Sequence, residues 1–300
     1  MGYHEKAGNR GWGETLPVKV HHDVYPCISP TPAWEAQSFK GKAIFITGAS
    51  RGIGRSTAIT FAKAGAAVAI AARSSAALDE TLSLMLKEAP EAKVKKYAVD
   101  VTNSAEMEMA VDHAAATFGG LDVVIANAGY TNAFDNTLMD QRATPEWWRT
   151  FEINVLGVYN TIKPALKFLR KVEGYFIAVT STGAQLRTPG ASDYDTSKHA
   201  VNRLVEFIAA ENPSIKAFPV HPGAVATELA KATKLEEKGI EFNDPPELAA
   251  STMLYLCSGN LDWMNGRYVD VNWDWGQVER VWKDKILEND LLINKLDVRV

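Results

Sequence analysis

What most constrains this chain is a repeated change of texture that begins near residue 41. Short apolar runs, Ala43–Thr47, Ala67–Ala71, Val94–Val99, Leu121–Ile125, Tyr175–Val179 and Ile215–Val220, alternate with longer stretches of helical spacing. The runs are too short for helices and too uniformly apolar for half-exposed strands, so they read as strands buried on both faces. The stretch carrying Met107, Ala110, Val111, Ala114 and Phe118 places its apolar positions on one helical stripe, entered through Asn103 and Ser104 as a cap. Alternation of this kind builds βαβ units around a parallel sheet. With a last strand at Arg267–Val271, the expectation is an α/β doubly wound sandwich of about seven strands. It forms one domain over residues 41–272, with extensions at 1–40 and 273–300.

The first strand runs directly into Thr47, Gly48, Ala49, Ser50, Arg51, Gly52, Ile53 and Gly54. Glycines there let the backbone turn tightly and approach a pyrophosphate, and the helix that follows aims its free N-terminal amides at that anion. The second strand ends in Ala72, Arg73 and Ser74, with no acid to accept from a ribose 2′-hydroxyl. A carboxylate would repel a 2′-phosphate, whereas Arg73 can grip one in a fork, with Arg51 and Ser50 supplying further donors. NADP(H) is therefore expected rather than NAD(H).

Tyr194 and Lys198 are spaced to share one face of a helix that continues through Val201, Leu204, Val205 and Ile208. A phenol is a weak acid near neutral pH, and a neighbouring ammonium favours its ionised form, so the pair suits general acid-base work. Ser181 closes the strand before them. Asn127, Ala128 and Gly129 end the fourth strand, Asn154 lies on a long helix, and Pro222, Gly223, Val225 and Thr227 follow the sixth strand. These positions fall at the carboxyl ends of strands, where doubly wound sheets bind ligands.

In this order and spacing the set resembles the short-chain dehydrogenase/reductase family, over about residues 41–272. The resemblance implies a Rossmann-type fold. It assigns Gly48, Ser50, Arg51, Gly52, Ile53 and Gly54 to the cofactor turn and Asp100 and Val101 to the adenine contact. Asn127, Ala128 and Gly129 become the sheet-end motif, and Pro222, Gly223, Val225 and Thr227 the nicotinamide pocket. Asn154, Ser181, Tyr194 and Lys198 then form the catalytic set. Tyr194 exchanges a proton with a carbonyl or alcohol oxygen, Lys198 lowers the tyrosine pKa and holds the nicotinamide ribose, Ser181 polarises the carbonyl, and Asn154 holds a water behind Lys198. The implied activity is reduction of a ketone or aldehyde, or the reverse oxidation, with NADP(H) and a small to medium organic substrate.

The chain departs from that family at its end. A D-G-G-like turn is replaced by Gly266 through Gly276, and apolar positions from Val278 to Leu296 allow one or two further amphipathic helices. This tail resembles that of fungal short-chain reductases of secondary metabolism, and is expected either to cover the substrate cleft or to rebuild a subunit interface. Residues 227–245 match the family's mobile substrate loop. Tyr130, Gln185, Leu186, Thr188 and Trp263 are expected to line the substrate pocket, with His221 close to it. The N-terminal 40 residues read as an extension lying on the surface or disordered, or as a lid or subunit contact.

A net charge of −4 gives no electrostatic reason to expect nucleic acid or an anionic membrane as partner. Cys27 and Cys257 form neither a disulfide framework nor a zinc spacing, and no pair of histidines shares a helix face, so no metal is expected. The segment before residue 41 has no long apolar run, which leaves cytoplasm as the default location. Trp147, Trp148 and Phe151 would pack a helix in the core or at a dimer face, and the family resemblance, in which that helix and the Tyr194 helix form subunit contacts, implies a homodimer or homotetramer. A cofactor-binding sensor or scaffold, and a non-redox catalyst of cyclisation or dehydration, are the alternatives on the same fold.

Overall fold

The computed structural model describes residues 11, 14–135 and 137–296. Seven strands form one sheet: β1 (Ala43–Thr47), β2 (Ala67–Ala72), β3 (Val94–Ala98), β4 (Val123–Ala126), β5 (Tyr175–Val179), β6 (Lys216–His221) and β7 (Val269–Asp270). Their order is β3-β2-β1-β4-β5-β6-β7, and every pairing is parallel. The order reverses between β1 and β4, which opens a crevice at the carboxyl edge of the sheet. The doubly wound α/β sandwich expected from the apolar runs is the fold observed.

The helices are α1 (Gly52–Lys63), α2 (Ser75–Glu88), α3 (Ser104–Phe118), α4 (Thr144–Phe151), α5 (Gly157–Val172), α6 (Ser192–Glu211), α7 (Glu228–Thr233) and α8 (Pro246–Leu256), with shorter turns between them. On one face of the sheet Phe61 of α1 and Met253 of α8 pack against Ile44 and Ile46. On the other, Met107 and Val111 of α3, Leu169 of α5 and Val205 of α6 pack against Phe45 and Phe176. Helix α3 starts where the spacing places it: the Asn103 side chain accepts from the Glu106 amide at 3.2 Å, and Gly119 at φ +86° ends it.

Two strands differ from expectation. β3 is an edge strand, and Lys95 and Lys96 face solvent rather than a core, charges that suit an edge which must not pair with another chain. β7 is only two residues long, because the backbone turns at Val271–Asn272 to meet the N-terminal extension.

That extension is not draped over the surface. Leu16, Tyr25, Ile28 and Phe39 are buried with Trp273 and Trp275 in the same core as α1 and α8. Val20 bridges Trp273 in antiparallel fashion, and the Tyr25 hydroxyl donates to the Trp273 carbonyl at 2.8 Å while accepting from the Trp275 amide at 2.9 Å. An indole buries about 150–250 Å², so each tryptophan contributes roughly 4–6 kcal/mol of apolar transfer energy. The N-terminal and C-terminal segments thus close one end of the sheet together. Residues 1–10, 12 and 13 lie outside the described residues, and with them the early part of the expected extension.

The tail beyond β7 continues through helical turns at Trp275–Gln277, Val278–Trp282 and Lys283–Glu288, with Val278 and Ile286 buried. Arg267 pairs with Asp290 at 2.7 Å, and the Asn294 amide donates to Glu206 of α6 at 2.7 Å. The tail lies against β7 and the later half of α6 rather than over the carboxyl edge of the sheet.

Candidate active site

The glycine turn between β1 and α1 is built by close approach. Gly48 sits at φ +64°, and a Cβ there would lie 2.8 Å from the Ala128 Cα. A Cβ on Gly54 would lie 2.4 Å from the Gly48 carbonyl oxygen and 2.5 Å from Asn127 Nδ2. Asn127 locks the turn to the end of β4, donating from Nδ2 to the carbonyls of Thr47 and Gly48 at 3.0 Å each. Thr47 Oγ1 accepts in turn from the amides of Asn127 and Ala128, at 3.1 and 3.3 Å. Two residues that the sequence pattern does not single out finish the loop. Arg55 Nη2 and Thr81 Oγ1 both donate to the Ser50 carbonyl, at 2.6 and 3.1 Å.

The turn forms one wall of a cleft of about 1130 Å³ along the carboxyl edge of the sheet. Ser50, Arg51, Gly52, Ile53, Arg73, Asp100 and Val101 line one end, and Ser181, Tyr194, Lys198, Pro222, Gly223, Val225 and Thr227 the other, with Asn127, Ala128 and Gly129 between. Arg51 and Arg73 are exposed at the cleft mouth, and neither has a carboxylate within ion-pair distance among the described residues. Burial works against the Asp100 carboxylate, but hydrogen bonds from Thr102, with Arg149 and Arg73 nearby, hold it below the usual range. A backbone cradle that no side chain could occupy fits the pyrophosphate of a nicotinamide dinucleotide.

Tyr194 and Lys198 stand on the first turns of α6, and Ser181 lies two residues beyond β5. The Ser181 hydroxyl accepts from the Gly183 amide at 3.0 Å. Tyr194 is buried, with the Phe134 ring 5.7 Å from its own. Burial pushes the phenol up to about 12, against a lowering hydrogen bond with Ser181 and with the Asp195 charge adding to the rise. Burial also brings the Lys198 ammonium down to about 8. Lys198 Nζ donates to the Val179 carbonyl at 2.8 Å and lies 5.7 Å from the centre of the tyrosine ring. Burial is the larger influence on both groups in this arrangement.

Asn154 is committed to the backbone beside the cleft. It sits in a π-helical turn at Glu152–Leu156, fully buried, behind the cleft wall. Its amide clamps Tyr130, accepting from that residue's N–H at 2.8 Å and donating to its carbonyl at 2.9 Å, and donates again to Ser197 at 2.9 Å. The side chain shapes the Gly129–Tyr130 backbone.

Of the anticipated substrate wall, Tyr130, Leu186 and Thr188 line the cleft and Gln185 and Trp263 do not. Trp263 packs in the α1/α8 layer with Lys283 over its ring at 5.5 Å, because the turn that carries it lies beyond α8, away from the crevice. The Gln185 carbonyl accepts from Arg187 at 2.6 Å, and Gly11 packs so tightly there that a Cβ would meet that oxygen at 2.0 Å. His221 lines the cleft, its Nδ1 accepting from the Thr182 amide at 3.1 Å, and burial holds its pKa down against nearby Asp270 and Asp244. The loop after β6 brings Leu229, Leu235, Ile240 and Phe242 over the cleft, while Thr227 caps α7 by accepting from the Ala230 amide at 3.1 Å.

One wall residue has no signal in the sequence pattern. Asp195, next to Tyr194, is buried against the cleft, its carboxyl pushed up to about 6 by burial and by Asp193, against hydrogen bonds from Thr188 and the charge of Arg187.

Comparison with known proteins agrees with this geometry. Residues 42–238 match the short chain dehydrogenase family. The chain belongs to that family. The short chain dehydrogenase mpl6 of Monascus purpureus is 37% identical over 291 residues, covering 95% of this chain and 97% of that protein. The alcohol dehydrogenase of Thermococcus sibiricus, solved with 5-hydroxy-NADP, superposes with a TM-score of 0.64 at 32% identity, over 72% of this chain and 89% of that one. The 3-ketoacyl-(acyl-carrier-protein) reductase of Brucella melitensis, solved with NADH, gives 0.70 at 26% identity, over 78% and 98%. The short chain dehydrogenases are oxidoreductases of carbonyl and alcohol groups, and this chain has their fold. Among the described residues, no helix is long and apolar enough to cross a membrane, and no cluster of ligating side chains could hold a metal.

Proposed function

We propose that this short chain dehydrogenase reduces a ketone or aldehyde on a small to medium organic molecule with NADPH, or runs the same exchange in reverse. The observation that carries the reading is the meeting of Ser181, Tyr194 and Lys198 in a cleft whose far end is the glycine turn. A bound nicotinamide supplies or takes the hydride. The phenol, pushed up to about 12, keeps its proton at neutral pH and can give it to an oxygen gaining negative charge. Ser181 lines the cleft with that phenol and can share the same oxygen site. Lys198 supports the ribose side of the cleft, and Asn154 holds Gly129–Tyr130 in place behind it.

NADP(H) is favoured over NAD(H) because β2 ends at Ala72, Arg73 and Ser74, without the acid a 2′-hydroxyl requires. Arg51 and Arg73 face the same end of the cleft, where a 2′-phosphate would sit. Phe134, Leu186, Leu229 and Phe242 make the substrate end apolar, with few polar anchors. That suits a hydrophobic organic carbonyl compound of the kind handled in fungal secondary metabolism, in the cytoplasm. Exposed Trp148, Leu156, Tyr159 and Phe207 on α4 to α6 would be covered by a second copy in a homodimer or homotetramer. Residues 41–272 form the catalytic domain in this reading, with 227–245 as its substrate loop.

Titration of tryptophan fluorescence with NADPH and NADH tests the cofactor assignment. NADPH is expected to bind at least about tenfold more tightly, the equivalent of one good charged contact. Equal affinities would mean that Arg51 and Arg73 do no more than face solvent.

A further inference from the structure

The N-terminal extension and the segment after α7 meet at a single buried carboxylate under the loop that follows β6. Asp244 is 5% exposed. One of its oxygens pairs with His22 Nδ1 at 2.7 Å. The other accepts from the Ala224 amide at 2.6 Å and from Asn272 Nδ2 at 2.9 Å. The Asp244 amide in turn donates to the Ala224 carbonyl at 2.9 Å, so residue 224 is held through both of its backbone polar groups. Gly223 packs on the same carboxylate: it sits at φ +81°, and a Cβ there would lie 2.6 Å from Asp244 Oδ2. The clamp reaches both ends of the chain. Asn272 Nδ2 also donates to the His21 carbonyl at 2.9 Å, and the His21 amide donates to the Asn272 carbonyl at 2.7 Å. His21 itself is anchored by Asp274 at 2.9 Å and by stacking on Tyr25 at 3.8 Å. Asp244, Asn272 and His22 all lie outside the residues matched by the family, 42–238.

We propose that Asp244 is a positioning residue for the nicotinamide half of the cofactor, held in place by His22 and Asn272. The Pro222–Val225 loop has a short, freely turning backbone at Gly223, and on its own would sample many conformations. A buried carboxylate that accepts from the Ala224 amide fixes which face of that backbone looks into the cleft. Two donors from opposite ends of the chain keep the carboxylate from rotating away. The extension therefore acts on the dinucleotide site without touching it, and only on the end of the site beside Tyr194.

The inference rests on a dinucleotide binding in this cleft, and its test separates the two halves of the ligand. Dissociation constants for NADPH and for 2′,5′-ADP, which lacks the nicotinamide, are measured on the full chain and on Asp244→Ala, Asp244→Asn, His22→Ala and Asn272→Ala. Asp244→Ala is expected to weaken NADPH by about tenfold or more, the loss of a charge-assisted hydrogen bond, while 2′,5′-ADP stays within about twofold. Asp244→Asn keeps an acceptor for the Ala224 amide and is expected to restore NADPH to within about threefold of the starting protein. His22→Ala and Asn272→Ala are expected to fall between, and they carry the test if Asp244→Ala does not fold. Parallel weakening of both ligands in all variants would mean a general structural role and overturn the proposal, as would unchanged NADPH binding in Asp244→Ala. Should the unaltered protein bind NADH and AMP rather than NADPH and 2′,5′-ADP, the cofactor preference fails. The same comparison then decides the positioning role with that pair.

Discussion

Replacing Tyr25 with Phe isolates what the N-terminal extension does for the fold. The ring stays, so apolar packing is nearly unchanged, and only the hydroxyl is lost. That hydroxyl bridges the Trp273 carbonyl at 2.8 Å and the Trp275 amide at 2.9 Å, and both tryptophans are essentially inaccessible to solvent. A buried group left without its partner costs about 1–3 kcal/mol. With a donor and an acceptor both orphaned, and some relief from local relaxation, the loss should come to about 2–4 kcal/mol. For a chain of this size that is a fall of roughly 3–6 °C in Tm. The assay is urea unfolding followed by tryptophan fluorescence, with the slope in denaturant expected to stay the same and the midpoint to fall. Binding of 2′,5′-ADP should be unaffected, since the glycine turn lies outside this contact. A loss under about 0.5 kcal/mol would refute the claim that the extension is an integral part of the core.

Two further outcomes follow from the cleft. Arg73→Glu should weaken NADPH by about tenfold to a hundredfold and leave NADH within about threefold, checked by the same fluorescence titration; equal losses would remove Arg73 from the 2′-phosphate site. The pH dependence should differ in sign between the two directions. Alcohol oxidation needs an ionised phenol, and with Tyr194 pushed up to about 12 its kcat/KM should climb from about pH 6 to 8, then level off as Lys198 loses its charge. Carbonyl reduction uses the protonated phenol and should stay level through neutrality, then decline as Lys198 loses its charge near pH 8. A reduction rate that rises with pH would contradict these roles.

How much of this was legible in the chain depended on the range of the interaction. The strands showed because their burial is local: Ala43–Ile46 and Phe176–Val179 are apolar at every position, and both strands occur as read. The glycine turn showed because its conformation permits no other residue at Gly48 and Gly54. The edge position of β3 was hidden, since Val94 and Tyr97 look like core residues until the neighbouring strand proves absent on one side. The packing of the extension was hidden for a related reason. Tyr25 and Trp273 stand 248 positions apart, and neither local spacing hints at the other. Asn154 lay where the motif required, but its amide is committed to Tyr130, a partner that only the π-helical turn brings into reach. Lys198 likewise has the expected spacing from Tyr194, yet the depth of burial decides what the pair does.

The central claim is that Tyr194 carries the proton in a nicotinamide-dependent carbonyl reduction, and single-turnover hydride transfer in Tyr194→Phe tests it most directly. The variant keeps the ring that packs on Phe134 and removes only the phenolic hydroxyl. NADPH should bind within about twofold of the unaltered protein, while transfer to a carbonyl substrate falls by about a hundredfold to ten-thousandfold, the usual worth of a positioned acid. Transfer within about threefold of the unaltered protein, with binding intact, would mean that the proton comes from elsewhere.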